Sequence, residues 1–199
     1  MNIFFLDETP HRSARYLCDK HVPKMVLESS QMLSTAIQRH TGELDYLYKS
    51  AYPKHPMTIW VGDNRDNFTW ALENAVWISQ EYCTRFKKLH KSSKIINTIY
   101  DKRYMDFIPK GDMTAPPQCM PDEYKLRSDL YVNAYRDYYK GEKEYFAKWE
   151  KAENNQIGGP MSSNKTVTNR YPYEFVHCPS SKIMVSGSYE PSRHNGSIR

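Results

Sequence analysis

The stretch Val22-Pro23-Lys24-Met25-Val26-Leu27-Glu28-Ser29-Ser30-Gln31-Met32-Leu33-Ser34-Thr35-Ala36-Ile37 decides the class of fold. Val22, Met25, Val26, Ser29, Met32, Leu33, Ala36 and Ile37 recur at helical steps, which places them on one stripe of an α-helix. The spacing predicts a helix from Val22 to about Arg39, with Gly42 just beyond, where a helix would stop.

Two further stripes extend the pattern. Phe68, Ala71, Leu72, Ala75, Val76, Ser79, Tyr82 and Phe86 follow the capping pair Asp63-Asn64 and predict a helix over 64–89. Tyr131, Ala134, Tyr135, Tyr138, Tyr145, Phe146 and Trp149 follow Ser128 and predict one over 129–151. Thr9-Pro10 reads as a cap and first helical residue, opening a short helix to about Cys18. Ile3 to Leu6 is a short apolar run, either a buried strand or a stub packed under the helices. Residues 43–62, with Pro53 and Pro56, read as irregular, and 91–127 as a basic, then proline-rich loop with one short helix at most. Past Ala152 periodicity vanishes and Asn, Ser, Gly and Pro dominate. The expected fold is therefore all-α, a compact bundle of three principal helices with a short N-terminal extended segment. A helical domain over 1–151 carries an irregular C-terminal arm over 152–199. Val26, Leu33, Leu72, Val76, Tyr135 and Phe146 are expected in the core.

The 199 residues suit one domain, and 28 Lys and Arg against 23 Asp and Glu give a net charge of +5. That balance is compatible with an anionic partner. The start of the chain lacks the basic opening and apolar core of a signal peptide, and no stretch approaches the ~20 apolar residues of a membrane span. Cys18, Cys83, Cys119 and Cys178 form no C-x-x-C pair, so free thiols in a reducing cytosol are the expectation. The seven histidines lack ligand spacing, and no phosphate-cradling glycine loop precedes a helix. Neither a metal nor a cofactor is expected.

Three groups of residues carry possible chemistry. His21, Lys24, Glu28, Gln31 and Thr35 share an arc beside the first stripe, where an imidazole, an amine, a carboxylate and an amide suit acid–base work. A solvated face with a Lys24–Glu28 pair at i, i+4 is the alternative. On the long helix Asn67, Trp70, Asn74, Trp77 and Glu81 form a similar edge, able to stack on a base and bond its edge, or simply buried between helices. Arg85, Lys87, Lys88, His90, Lys91 and Lys94 cluster at that helix's end and, with Lys49, Tyr52, Lys54 and His55, suggest a groove for phosphates. DNA is the partner these groups imply.

The blocks N-I-F-F-L-D (2–7), C-D-K-H-V-P-K-M-V-L-E-S-S-Q-M-L-S-T-A (18–36), H-P-M-T-I-W-V (55–61), E-Y-C-T-R-F-K-K-L-H (81–90) and C-M-P-D-E-Y-K (119–125) resemble a family of small phage proteins described as pyrimidine-dimer DNA glycosylase-like. The resemblance runs over about residues 2–150. It implies a phage-encoded enzyme of the host cytoplasm that flips a damaged or modified pyrimidine out of DNA. It further implies cleavage of the glycosidic bond through an imine to the N-terminal amine, with Glu28 as the catalytic carboxylate and His21 and Lys24 beside it. Gln31, Asn67, Trp70, Asn74 and Glu81 would meet the base. Lys54, His55, Arg85, Lys87, Lys88, His90, Lys91 and Lys94 would meet phosphates. The chain departs from the pattern in carrying Asn2 after Met1, and Leu27 rather than an arginine before Glu28, which makes Lys24 the alternative amine. A second similarity, to glutamyl- and putrescinyl-thymine pyrophosphorylases, implies an amino-acid or amine co-substrate in thymine hypermodification. A non-catalytic DNA-binding or virion-associated protein is the third alternative.

Overall fold

A computed structural model describes residues 1–152. Among them are six α-helices and no strand: α1 (Pro10–Tyr16), α2 (His21–Thr41), α3 (Pro56–Asp63), α4 (Arg65–Phe86), α5 (Ser93–Asp101) and α6 (Tyr131–Lys143). The fold is all-α. The expected arm over 152–199 lies almost wholly outside the described residues.

The two longest helices form where the stripes placed them. Gly42 ends α2 with φ 82°, a left-handed conformation that costs glycine little. Asn64 caps α4, its side chain accepting the Asn67 N–H at 2.9 Å. The helix α3 was not expected from the sequence. It opens on Pro56 behind His55, whose Nδ1 accepts the Met57 N–H at 3.2 Å, so a histidine serves as the cap. α3 lies so close to α2 that a Cβ on Gly62 would meet Ala36 Cβ at 3.3 Å. The basic stretch after α4 yields α5, where the sequence suggested mostly loop. The last helix is shorter than expected: it ends at Lys143, and a turned strap continues to Trp149. Val26, Leu33, Leu72 and Tyr135 are buried, whereas Val76 and Phe146 are only half-buried against the core's edge. Thr9 stands at the N-cap of α1 but its hydroxyl bonds Asp7, leaving the cap without a side-chain bond.

The segment Ile3–Leu6 is not a strand but the other expected form, a stub packed under the helices. It runs through the middle of the domain, every residue at most 8% exposed, with its backbone bonded to Ser13 from Phe4 and Leu6. Phe5 stacks on Trp70 at 4.3 Å and meets Trp60 and Tyr131 edge-on. Phe4 stacks on His21 at 4.9 Å and meets Tyr139 edge-on at 5.3 Å. Such aromatic pairs add about 0.5–1.5 kcal/mol each beyond their buried area. Helices α2, α3, α4 and α6 thus reach these two rings through His21, Trp60, Trp70, and Tyr131 with Tyr139, and the chain's first residues are fixed by the core.

Candidate active site

Glu28 lies one turn after Lys24 on α2, its side chain 16% exposed, at the rim of the domain. Three nitrogens surround it. The Asn2 backbone N–H donates to Oε2 at 3.2 Å, and the Met1 amine stands 3.9 Å from the same oxygen. Lys24 Nζ is 3.6 Å from Oε1. His55 feels both the Met1 amine and Glu28, and its imidazole is held below the usual histidine range by burial first, then by the amine, with Glu28 opposing. Because Nδ1 accepts from Met57, the neutral ring carries its proton on Nε2.

The first residues are also locked laterally. Asn2 Nδ2 donates to the Cys119 carbonyl at 2.9 Å, and the Tyr135 hydroxyl reaches both Asn2 Oδ1 and the Pro117 carbonyl. The Met1 sulfur accepts from the Thr58 hydroxyl at 3.5 Å. Thr58 in turn lines a cleft of about 520 Å³ between α2, α3 and the loop before α3. Thr35, Gln38 and Arg39 form its α2 wall, and Lys49, Ser50 and Pro53 its loop wall. A volume of this order suits a small organic ligand.

His21 does not join this group as an acid or base. It is 4% exposed, stacked on Phe4, and its Nδ1 lies 2.8 Å from the Tyr139 hydroxyl. That hydroxyl accepts the Cys18 N–H, so its own proton points at Nδ1 and the imidazole is neutral. Burial lowers its pKa to about 4, helped by Lys24, Lys143 and Lys20. These three lysines therefore rim the aromatic cluster beside Glu28: Lys20 Nζ sits over Phe146 at 4.6 Å and Lys143 Nζ over Tyr138 at 4.8 Å.

The edge of α4 is turned inward. Asn67 bonds the Trp60 carbonyl and both the N–H and hydroxyl of Thr114, and Asn74 donates to the Pro10 carbonyl. Trp70 donates to the Glu8 carbonyl, and Glu81 pairs with Arg85 at 2.7 Å. These groups hold α1, α3 and the 109–117 segment in place. Gln31, half-buried one turn after Glu28, keeps to the site's side of α2. Within the basic cluster Arg85 is buried, bonding the carbonyls of Leu17 and Arg15 and the carboxylates of Asp19 and Glu81. It ties the end of α4 to the start of α2 and is not available to a phosphate. His90 packs edge-on to Tyr82, and burial lowers its pKa. Lys54, Lys87, Lys88, Lys91 and Lys94 are exposed. The resemblance had pointed to the N-terminal amine, but the sequence reading missed the Asn2 backbone N–H as a site member and assigned His55 to phosphate. The signal for the Asn2 N–H was present in the Ile3–Leu6 run, which can only be buried by fixing the two residues before it.

Cys18 and Cys119 are free thiols, as expected, whereas Cys83 is disulfide-bonded. Cys178 lies outside the described residues. Among the described residues no three His, Cys, Asp or Glu side chains are grouped to hold a metal, and no helix is long and apolar enough to cross a membrane.

Residues 1–92 match the pyrimidine dimer DNA glycosylase family. The matched stretch takes in the central Phe4–Phe5 segment, α1 to α4 and every group within 4 Å of Glu28 named above. No curated protein and no solved structure matches the chain.

Proposed function

We propose that the chain is a DNA base-processing enzyme that cleaves the glycosidic bond of a damaged or modified pyrimidine, in the manner of the pyrimidine dimer DNA glycosylases. The observation that carries this reading is the convergence of the Met1 amine, the Asn2 N–H and Lys24 Nζ on one half-buried carboxylate. An amine attacking C1′ of the nucleotide displaces the base, which leaves with the electron pair of the glycosidic bond and takes up a proton. Glu28 stabilises the positive charge that develops on the sugar and accepts the proton the amine must lose. Opening of the sugar ring then gives an imine between the amine and C1′. Both the Met1 amine and Lys24 lie within 4 Å of Glu28, which supports either as the attacking amine, and the neutral His55 adds a donor at Nε2.

The test is borohydride trapping on a duplex carrying one cyclobutane pyrimidine dimer, with mass spectrometry locating the adduct. An adduct on the N-terminal nitrogen or on Lys24 supports the reading, and the peptide identifies the amine. Glu28→Gln is expected to retain DNA affinity and lose turnover by at least ~100-fold, the size of an acid–base contribution. Full activity in that variant, or no release of base from any damaged or hydroxymethylated pyrimidine, overturns it.

A further inference from the structure

The loop between α2 and α3 contains a residue that packing does not explain. Tyr52 has φ 51° and is 68% exposed. A left-handed conformation is uncommon for a bulky residue, and doubly so for one that precedes a proline, here Pro53, which biases its predecessor to extended backbone. Such conformations persist only where the surroundings impose them. They do so here. Ala51 donates its N–H to Thr35 Oγ1 at 2.9 Å and accepts back from it, while the Tyr52 carbonyl accepts the His55 N–H at 3.0 Å. Earlier in the loop Tyr48 is bonded through its N–H to Ser34 and through its hydroxyl to Ser92. The backbone is thus pinned on both sides, and the ring between the pins is left in solvent.

Its position gives the ring a use. Ser50 and Pro53, two and one residues away, line the 520 Å³ cleft, and His55, three residues on, belongs to the Glu28 site. Exposed Lys49 and Lys54 stand on either side in the chain. An exposed aromatic between two cations, on the loop whose Lys49, Ser50 and Pro53 wall a cleft, matches the demands of a nucleobase attached to a phosphate backbone: a π-face to stack on and positive charge for the phosphates beside it.

We infer that Tyr52 is a stacking residue, holding a nucleobase unstacked from the duplex beside the cleft that its loop walls. This rests on the DNA reading above. The backbone strain fits the role, because it projects a rigid ring outward at the one place where the loop is most firmly anchored.

The experiment compares equilibrium binding of an intact duplex and of the same duplex with one tetrahydrofuran abasic site. That site leaves the opposite base unpaired and offers no glycosidic bond to cleave. The full chain, Tyr52→Phe and Tyr52→Gly are measured. The preference for the abasic duplex is expected to survive in Tyr52→Phe and to fall about 5-fold or more in Tyr52→Gly, a loss in the range of one base–aromatic stack. Affinity for the intact duplex, which rests on lysines, is expected to stay the same. Glycine relieves the left-handed backbone, so Tyr52→Gly is expected to melt no lower than the parent, which separates a lost ring from a lost fold. An undiminished preference in Tyr52→Gly, or no preference in the parent chain, overturns the assignment. Absence of binding to either duplex by the parent chain overturns the DNA reading itself.

Discussion

At the scale of single residues, His21 and Glu28 lie two turns apart on one helix and are used in opposite ways. His21 is sealed among Phe4, Tyr139 and Phe146 and accepts a hydrogen bond from the Tyr139 hydroxyl, an arrangement only the neutral ring allows. Its pKa falls from 6.5 to about 4, through burial and then Lys24, Lys143 and Lys20. Between these values the unfolded chain holds a proton that the folded one refuses, so stability declines as pH falls from about 6.5 towards 4 and the contribution is complete above 6.5. The size is roughly 3 kcal/mol. His11, His55 and His90 are lowered too and act in the same direction. Replacing His21 by Phe is expected to reduce the pH slope of unfolding free energy over that window by up to one proton, measured by urea titrations from pH 7 to 4. An unchanged slope would mean that the ring is protonated in the folded state. Glu28 and Lys24, by contrast, keep partial access to solvent, and their pairing was legible from the i, i+4 spacing alone. What periodicity did not reveal was the depth of His21, because a polar residue at the first turn of a helix reads as solvated until something large is packed over it.

At the scale of elements, the helix stripes located α2 and α4 within a few residues and missed α3 altogether. The miss has a physical cause: His55 is an unusual cap in front of an ordinary first-turn proline, and an eight-residue helix buried on most sides has little amphipathic contrast. The edge of α4 was ambiguous for the same reason, since a central helix packed on two faces presents amides and tryptophans to neighbours rather than to solvent. The most consequential element is not a helix. The Ile3–Leu6 segment joins α2, α4 and α6 through Phe4 and Phe5, and it delivers Met1 and Asn2 to Glu28. Truncating Phe5 removes a fully buried ring, and Phe5→Ala is expected to cost about 3–5 kcal/mol in urea unfolding. Phe5→Leu, milder in volume, is expected to leave the chain folded yet reduce formation of the trapped adduct, because the segment that positions the amine loses its stacking partner on Trp70. Equal adduct yield in the folded Leu variant would show that the amine is positioned by Asn2 and its bonds to Cys119 and Tyr135 alone.

At the scale of the molecule, the net charge of +5 is less informative than where the exposed lysines gather. The start of α2 and the end of α4 are bound together by Arg85 and Asp19 at 3.2 Å, and the strap after α6 crosses both: Asp19 N–H donates to the Lys148 carbonyl, and Lys151 N–H donates to Asp19 Oδ2. Lys151 Nζ also stands 5.6 Å from the Phe86 ring. One end of the domain therefore carries Lys20, Lys24 and Lys143 around His21, with Lys24 reaching Glu28, and Lys87 and Lys88 beyond the strap. The sequence suggested Lys24 and the second of these groups, because Lys143 joins Lys20 and Lys24 only through tertiary packing and is far from them in the chain. If DNA lies along this end, both groups release counterions, and the log–log slope of affinity against salt should weaken by about 1 for each lysine neutralised. Lys20→Gln with Lys143→Gln is thus expected to reduce the slope by about 2, as is Lys88→Gln with Lys91→Gln, and the four together by about 4. Lys110, in the extended stretch after α5, supplies a control whose neutralisation is expected to leave the slope near its parent value. A slope that responds to Lys88 and Lys91 but not to Lys20 and Lys143 would place the duplex beyond the strap and away from Glu28, and the site would then have no substrate within reach.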